Sequence, residues 1–157
     1  MLGGLLVRLA LEAKDRRPLR VCGVVENRGE PGGGPFWIER GTGEASAQIV
    51  ERAELGMAPD AAQEAVFASS THFNPVQIAV ALRDVLGQRY DLRRYVDERA
   101  VFIARKSHHG RELLALERPG LWNGAMAGWN TVFVEVPAET FAPVKTVFDL
   151  LRPEHQP

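Results

Sequence analysis

Four side chains stand where α/β proteins place ligand-binding groups, at the edges of strand-like or helix-like runs. They are Glu51 in Gln48-Ile-Val-Glu51, His72 and Asn74 in Thr71-His-Phe-Asn74, and Lys145 in Phe141-Ala-Pro-Val-Lys145. Glu51 closes an apolar run, where a carboxylate can accept two sugar hydroxyls or pair with an arginine at the surface. Lys145 follows a rigid approach through Pro143; it is either an ammonium fixed for phosphate or a solvated lysine. Asn74 before Pro75 has the form of a helix N-cap, and the same side chain could serve a ligand. His72 has no second histidine or carboxylate at ligand spacing, so no metal site is expected.

A glycine-rich loop, Gly29-Glu-Pro-Gly-Gly-Gly-Pro35, precedes these groups. Gly32, Gly33 and Gly34 could expose backbone N–H groups to a phosphate, because glycine permits close approach and positive φ. No Lys-Ser/Thr sequel follows, so the loop is neither a P-loop nor a dinucleotide fingerprint, and a plain strand connection is the competing reading. The stretch Trp122-Asn-Gly-Ala-Met-Ala-Gly-Trp129 is rich in tryptophan for a loop, so Trp122, Asn123 and Trp129 either wall a pocket or plug the core. His108 and His109 sit together in a turn and are expected to be solvated. There is no Ser-His-Asp set, no cysteine nucleophile with a partner and no zinc spacing, and no catalytic residue is assigned.

The elements that must position these groups follow from periodicity. Leu2, Leu5, Leu6, Leu9, Ala10 and Ala13 form an apolar stripe at helical spacing. This helix starts at Met1 without a capping residue, which suggests a chain entered partway through a fold. Strands are predicted at Leu19 to Val25, Phe36 to Glu39 and Ala47 to Arg52, with a turn at Gly41-Thr-Gly43. Pro59 and Asp60 open a helix to about Ala68, and Asn74-Pro75 opens another that Gly87 stops. Residues 88 to 99 are charged and ambiguous. Val101 to Lys106 and Arg111 to Glu117 flank Ser107-His-His-Gly110 as a β-hairpin. Trp129 to Val136 is apolar on both faces and reads as the central strand. The order predicts an α/β chain, a mixed sheet with flanking helices.

The whole is consistent with a single domain over residues 1–157: 45% of residues are apolar, 25% are charged and the net charge is −1. That balance offers no electrostatic footprint for nucleic acid or anionic lipid. Arg89, Arg93, Arg94 and Arg99 are interspersed with Asp91, Asp97 and Glu98. No run approaches the length of a membrane span, no secretory leader is evident and the one cysteine, Cys22, lies in an apolar strand; a cytoplasmic protein is expected.

Taken together, Arg20-Val-Cys-Gly-Val-Val25, Gly29-Glu-Pro-Gly-Gly-Gly-Pro-Phe-Trp37, Gln48-Ile-Val-Glu51, Thr71-His-Phe-Asn-Pro75, Pro119-Gly-Leu-Trp-Asn-Gly-Ala-Met126 and Thr140-Phe-Ala-Pro-Val-Lys-Thr146 closely resemble the C-terminal region of a bacterial family, domain of unknown function 4301. Members of that family carry a long N-terminal part beyond what is matched here. Gly23-Val-Val25, Gln48-Ile-Val-Glu-Arg-Ala-Glu-Leu55, His72-Phe73, Phe133-Val-Glu-Val136 and Phe141-Ala-Pro-Val-Lys145 are also distantly similar, in the same order, to the second half of UDP-N-acetylglucosamine pyrophosphorylases. That resemblance implies the C-terminal portion of a nucleotide-diphospho-sugar transferase fold. It implies that Glu51 binds sugar and Lys145 contacts phosphate, with His72 and Asn74 nearby. Arg52 stands where the motif has tyrosine, and Thr71 where an asparagine precedes the His-Phe pair. The implied reaction is attack by a sugar 1-phosphate on the α-phosphorus of a nucleoside triphosphate, with Mg2+ and the triphosphate loop supplied by the N-terminal part and no cofactor held by this chain. The expectation is a sugar-phosphate-binding portion, inactive alone, that self-associates or pairs with an N-terminal part. The alternative is a non-catalytic binding module or interaction subunit.

Overall fold

The computed structural model describes residues 16–30, 32–39, 45–137, 140–141, 144 and 146–156. The helix expected from Leu2 to Ala13 and the turn at Gly41 to Gly43 lie outside the described residues. The chain is α/β with a mixed sheet, as its order of elements predicts.

The sheet is built around β1, Leu19–Glu26. Its sequence is apolar apart from Arg20 and the exposed terminal Glu26, which suits a strand buried on both faces. Along one edge runs β8, Asn130–Glu135, parallel to β1 with Leu19 opposite Asn130 and Val24 opposite Glu135. Along the other edge two short antiparallel strands follow one another, β5 (Ile78–Val80) beside Arg20 to Cys22 and β4 (His72–Phe73) beside Val25 and Glu26. The expectation that 129–136 is the central strand is therefore corrected. Among the described residues β8 is paired only with β1, and Val132 and Val134 are 44% and 47% exposed.

The helix expected after Asn74-Pro75 is also replaced by strand. Val76, Ile78 and Val80 are β-branched, which favours a pleated strand over a helix. Asn74 also diverts the chain before any helical turn can close. Its Nδ2 donates to the Gly23 carbonyl at 2.6 Å, and its Oδ1 accepts the Val76 N–H at 3.1 Å. Val76 is driven to a φ of 66°, and the Gln77 carbonyl then accepts the Gly23 N–H at 2.8 Å. Asn74 to Gln77 thus form a bulge that interrupts the edge between β4 and β5 without leaving Gly23 unpaired. Gly87 closes a turn stapled by Asp84, whose carboxylate accepts the Leu86 and Gln88 N–H groups. The ambiguous stretch contains a single 3-10 turn, Leu92–Tyr95.

Two ribbons complete the fold. β2, Gly34–Glu39, pairs antiparallel with β3, Ala45–Val50, both starting two residues earlier than the sequence suggests. The predicted hairpin is present as β6 (Phe102–His108) and β7 (Arg111–Glu117). Its two-residue turn places His109 and Gly110 at φ of 50° and 75°, the left-handed pair that a tight hairpin requires. The predicted helix is α1, Ala61–Ala68, capped reciprocally by Asp60 and Gln63. The core lies between β1 and the β2–β3 ribbon, where Cys22, Val24 and Ile49 meet Ile78, Trp122 and Phe133.

Candidate functional site

The glycine loop, the end of β3 and the start of β4 converge at the C-terminal end of β1. Gly34 lies opposite Val50, and the Gly33 carbonyl accepts the Asn74 N–H at 2.8 Å. A Cβ on Gly33 would stand 2.6 Å from Ile49 Cγ2, and one on Gly34 would stand 2.7 Å from Ser70 Oγ. Two of the consecutive glycines therefore sit where side chains of Ile49, Phe36 and Ser70 press against the loop and leave no room for a Cβ. The same close approach brings Glu51 to the loop, its Cγ 3.4 Å from where a Gly33 Cβ would lie.

Beside this junction is a cleft of about 210 Å³ lined by Asn27, Gly32, Gly34, Phe67, Ala68, Ser70 and His72. Phe67 is fixed as its apolar wall. It stacks on Phe36 with centroids 5.4 Å apart, and the Arg52 guanidinium lies 5.9 Å from its ring centre. On the polar side, Ser70 Oγ donates to the His72 carbonyl at 2.9 Å, and Asn27 Oδ1 accepts the Gly29 N–H at 2.8 Å. The His72 ring is held by Thr71 Oγ1, 2.9 Å from Nδ1, while Nε2 faces the Glu135 carboxylate at 3.9 Å.

Glu51 does not end a strand that runs to Arg52, as the sequence suggests; it opens the 3-10 turn Arg52–Leu55. Its N–H donates to Glu54 Oε1 at 2.9 Å, which fixes the main chain and leaves the carboxylate half-buried. Burial pushes this carboxyl above its ordinary range, Glu117 pushes it further, and Lys106 opposes the rise. Arg52 is bonded through both terminal nitrogens to Glu64 on α1, so the neighbouring arginine is engaged away from Glu51.

Asn74 is 2% exposed. Besides Gly23 and Val76 it accepts the indole N–H of Trp122 at 3.2 Å, so its side chain is committed to the fold. Trp122 packs on the core and Trp129 is 5% exposed. Neither tryptophan is among the residues lining the cleft. Asn123 clamps the loop, donating to the Ala100 and Arg118 carbonyls and accepting the Gly120 N–H. Its neighbour Gly124 has φ of 85° and sits where a Cβ would be 2.6 Å from that of Ala100. Lys145 lies outside the described residues, but Phe141 of the same motif packs against Phe73, centroids 5.9 Å apart.

Sequence reasoning did not find Asn27, Phe67 and Ser70, because no motif marks a residue whose neighbours are set by the turn of a loop. It also missed the buried arginine. Arg20 is fully buried, with Nε donating to Thr131 Oγ1 at 2.9 Å and Nη2 to Gln48 Oε1 at 2.6 Å. Gln48 in turn donates to Ser46 and to the Ala127 carbonyl, which ties the β3 ribbon to β1 and the tryptophan loop. The available signal was a lone arginine inside an apolar strand, which must find partners when buried.

Among the described residues no group of three or more His, Cys, Asp and Glu could hold a metal ion, and no helix is long and apolar enough to cross a membrane. Residues 7–156 match the model of a family described as domain of unknown function (DUF4301). The chain belongs to that family. A search of curated proteins returns no match to it.

Proposed function

We propose that this member of domain of unknown function 4301 supplies the acceptor side of a nucleotidyltransferase-like protein, binding a sugar phosphate and being inactive alone. The supporting observation is the convergence at the end of β1, where Gly32 to Gly34, Glu51, His72 and Asn74 meet although they are far apart in sequence. Ligands in open α/β sheets bind outside the carboxyl ends of strands, which is where these residues lie. The reaction class is attack of a sugar 1-phosphate oxygen on the α-phosphorus of a nucleoside triphosphate. Such chemistry is served by positioning and charge neutralisation without a covalent nucleophile.

In this reading Glu51 accepts sugar hydroxyls and Lys145 contacts phosphate, while Asn74 holds the glycine loop against β1 so that the Glu51 carboxylate stays in place. Mg2+ belongs to the part of the protein that binds the triphosphate, and no role falls to it here. Titration of the chain with a hexose 1-phosphate, followed by NMR and calorimetry, tests the proposal. Saturable shifts at Gly33, Glu51 and His72 are expected. Lys145→Ala should weaken binding by roughly 10- to 150-fold, the loss of one charge-assisted hydrogen bond. Glu51→Gln should weaken the sugar phosphate more than a nucleoside triphosphate. No binding of any hexose 1-phosphate at millimolar concentration would reject the proposal.

A second reading, an interaction subunit, is favoured by the apolar face of the β6–β7 hairpin, on which Val101, Ile103, Leu114 and Leu116 are 46%, 47%, 58% and 66% exposed. Binding to a partner polypeptide with no response to sugar phosphates would establish it.

A further inference from the structure

The cleft beside the glycine loop has a composition that selects among the parts of a sugar phosphate. Among the described residues that line it there is no lysine or arginine. The one ionisable ring in it, His72, is faced by the Glu135 carboxylate at 3.9 Å and bonded to the Thr71 hydroxyl. The Arg52 guanidinium lies 5.9 Å from the Phe67 ring centre and is bonded to Glu64. A phosphate placed here would find no lysine or arginine among the described lining residues to offset its charge. A charge taken out of water without a partner is costly.

The same lining suits an uncharged polyhydroxylated ring. Phe67 and Ala68 form an apolar wall, and hydrogen-bonding groups stand along the other side. The Asn27 carboxamide uses its oxygen on the Gly29 N–H, leaving its two amide hydrogens to donate. Ser70 uses its proton on the His72 carbonyl, leaving its oxygen lone pairs to accept. A donor and an acceptor fixed by their internal bonds can read adjacent hydroxyl groups. About 210 Å³ accommodates one six-membered sugar ring and little more.

We infer that this cleft seats the neutral sugar ring, with Asn27 and Ser70 as specificity-determining hydroxyl ligands and Phe67 as the apolar wall, and that the phosphate lies outside it. This rests on the sugar-phosphate reading but moves the ring's hydroxyl contacts from Glu51, which is not among the residues lining the cleft, to Asn27 and Ser70. It also assigns Gly33 and Gly34 to close packing of the loop, since a Cβ at either would collide with the Ile49 or Ser70 side chain.

The test titrates the full chain with three probes: a neutral methyl hexoside, the matching hexose 1-phosphate and inorganic phosphate. Asn27→Asp keeps the oxygen that accepts from Gly29 and removes the amide donors, so folding is preserved. Ser70→Ala and Phe67→Leu are the second and third variants. Each is expected to weaken the methyl hexoside about 5- to 10-fold, the worth of one hydrogen bond or ring contact. Ser70→Ala and Phe67→Leu should leave inorganic phosphate unchanged. Amide shifts at Asn27, Ser70 and His72 should appear with the hexoside and be absent with phosphate. If phosphate alone shifts these amides, or displaces the hexoside competitively, the cleft is a phosphate cradle; this inference then fails while the sugar-phosphate reading stands. If the hexose 1-phosphate binds but all three variants bind it and the hexoside normally, the ring sits elsewhere and the inference fails. Absence of hexose 1-phosphate binding would remove both.

Discussion

At the scale of single residues, the polar groups of this protein divide by how many of their hydrogen bonds are spent internally. Arg20 is fully buried, and Gln48 supplies one of its short bonds while bracing Ser46 and Ala127. Gln48→Leu keeps much of the volume but withdraws an acceptor from a buried charge. It should lower stability by about 2 to 3 kcal/mol, measured by urea denaturation. A change within a few tenths of a kcal/mol would show that Arg20 is fully satisfied without it. Glu51, which shares a capping box with Glu54, is a half-buried carboxylate whose acidity is weakened first by burial and then by Glu117, against Lys106. Because its folded pKa is raised, the folded chain holds more protons than the unfolded chain just above the usual glutamate pKa. Stability from this group is therefore present at low pH and lost as pH rises through the folded value. Glu51→Gln removes that loss. Thermal melts should show the variant gaining on the parent as pH rises from 4 to 7, and a gain that grows towards acid pH would contradict the assigned sign.

At the scale of elements, the decisive feature is the bulge from Asn74 to Gln77, which splits one edge of β1 between β4 and β5. Its conformation depends on Asn74, which bonds Gly23, Val76 and Trp122 together. Asn74→Ala should cost about 3 kcal/mol, because several buried groups lose their partner at once. Val76 holds a φ of 66°, unfavourable for a β-branched side chain, and is 55% exposed. Val76→Gly should therefore stabilise or be neutral, where a glycine in an ordinary strand would destabilise. Chemical denaturation of the two variants checks both. A destabilised Val76→Gly would mean that the valine side chain contributes more in packing than its backbone costs. Asn74-Pro75 looked like a helix start because an N-cap and this bulge use the same side-chain oxygen to accept a nearby backbone N–H. Only the Gly23 carbonyl, 51 positions away, distinguishes them.

At the scale of the whole molecule, apolar surface is left in contact with solvent in several places. Val132 and Val134 lie on one face of the sheet, Leu114 and Leu116 on the hairpin, and Phe148 and Leu151, at 74% and 73% exposure, on a 3-10 segment near residue 150. β8 also has one edge unpaired among the described residues. Exposed strand edges and apolar faces drive association. Light scattering with an apolar-surface dye should show concentration-dependent association and dye binding. Lysine at both Leu114 and Leu116 should reduce association without shifting the melting temperature by more than a few degrees. A compact monomer that binds no dye would contradict the expectation.

What the sequence determined by itself is the part governed by local rules. The β1 strand, the capped helix after Asp60, the hairpin around His109-Gly110 and the α/β class with a mixed sheet were all legible from periodicity, capping and turn chemistry. Each depends on residues within a few positions of one another. Tertiary structure alone decided that β1 and not β8 is central, since strand order depends on pairing partners that lie 111 residues apart for Arg20 and Thr131. It turned Asn74 from a helix cap into the pin of a bulge, and two glycines of the loop into gaps that admit the Ile49, Phe36 and Ser70 side chains. It also assembled the cleft from Asn27, Phe67 and Ser70, which carry no motif, because a binding surface is defined by which side chains face a shared space and that is settled only when the chain has closed around it.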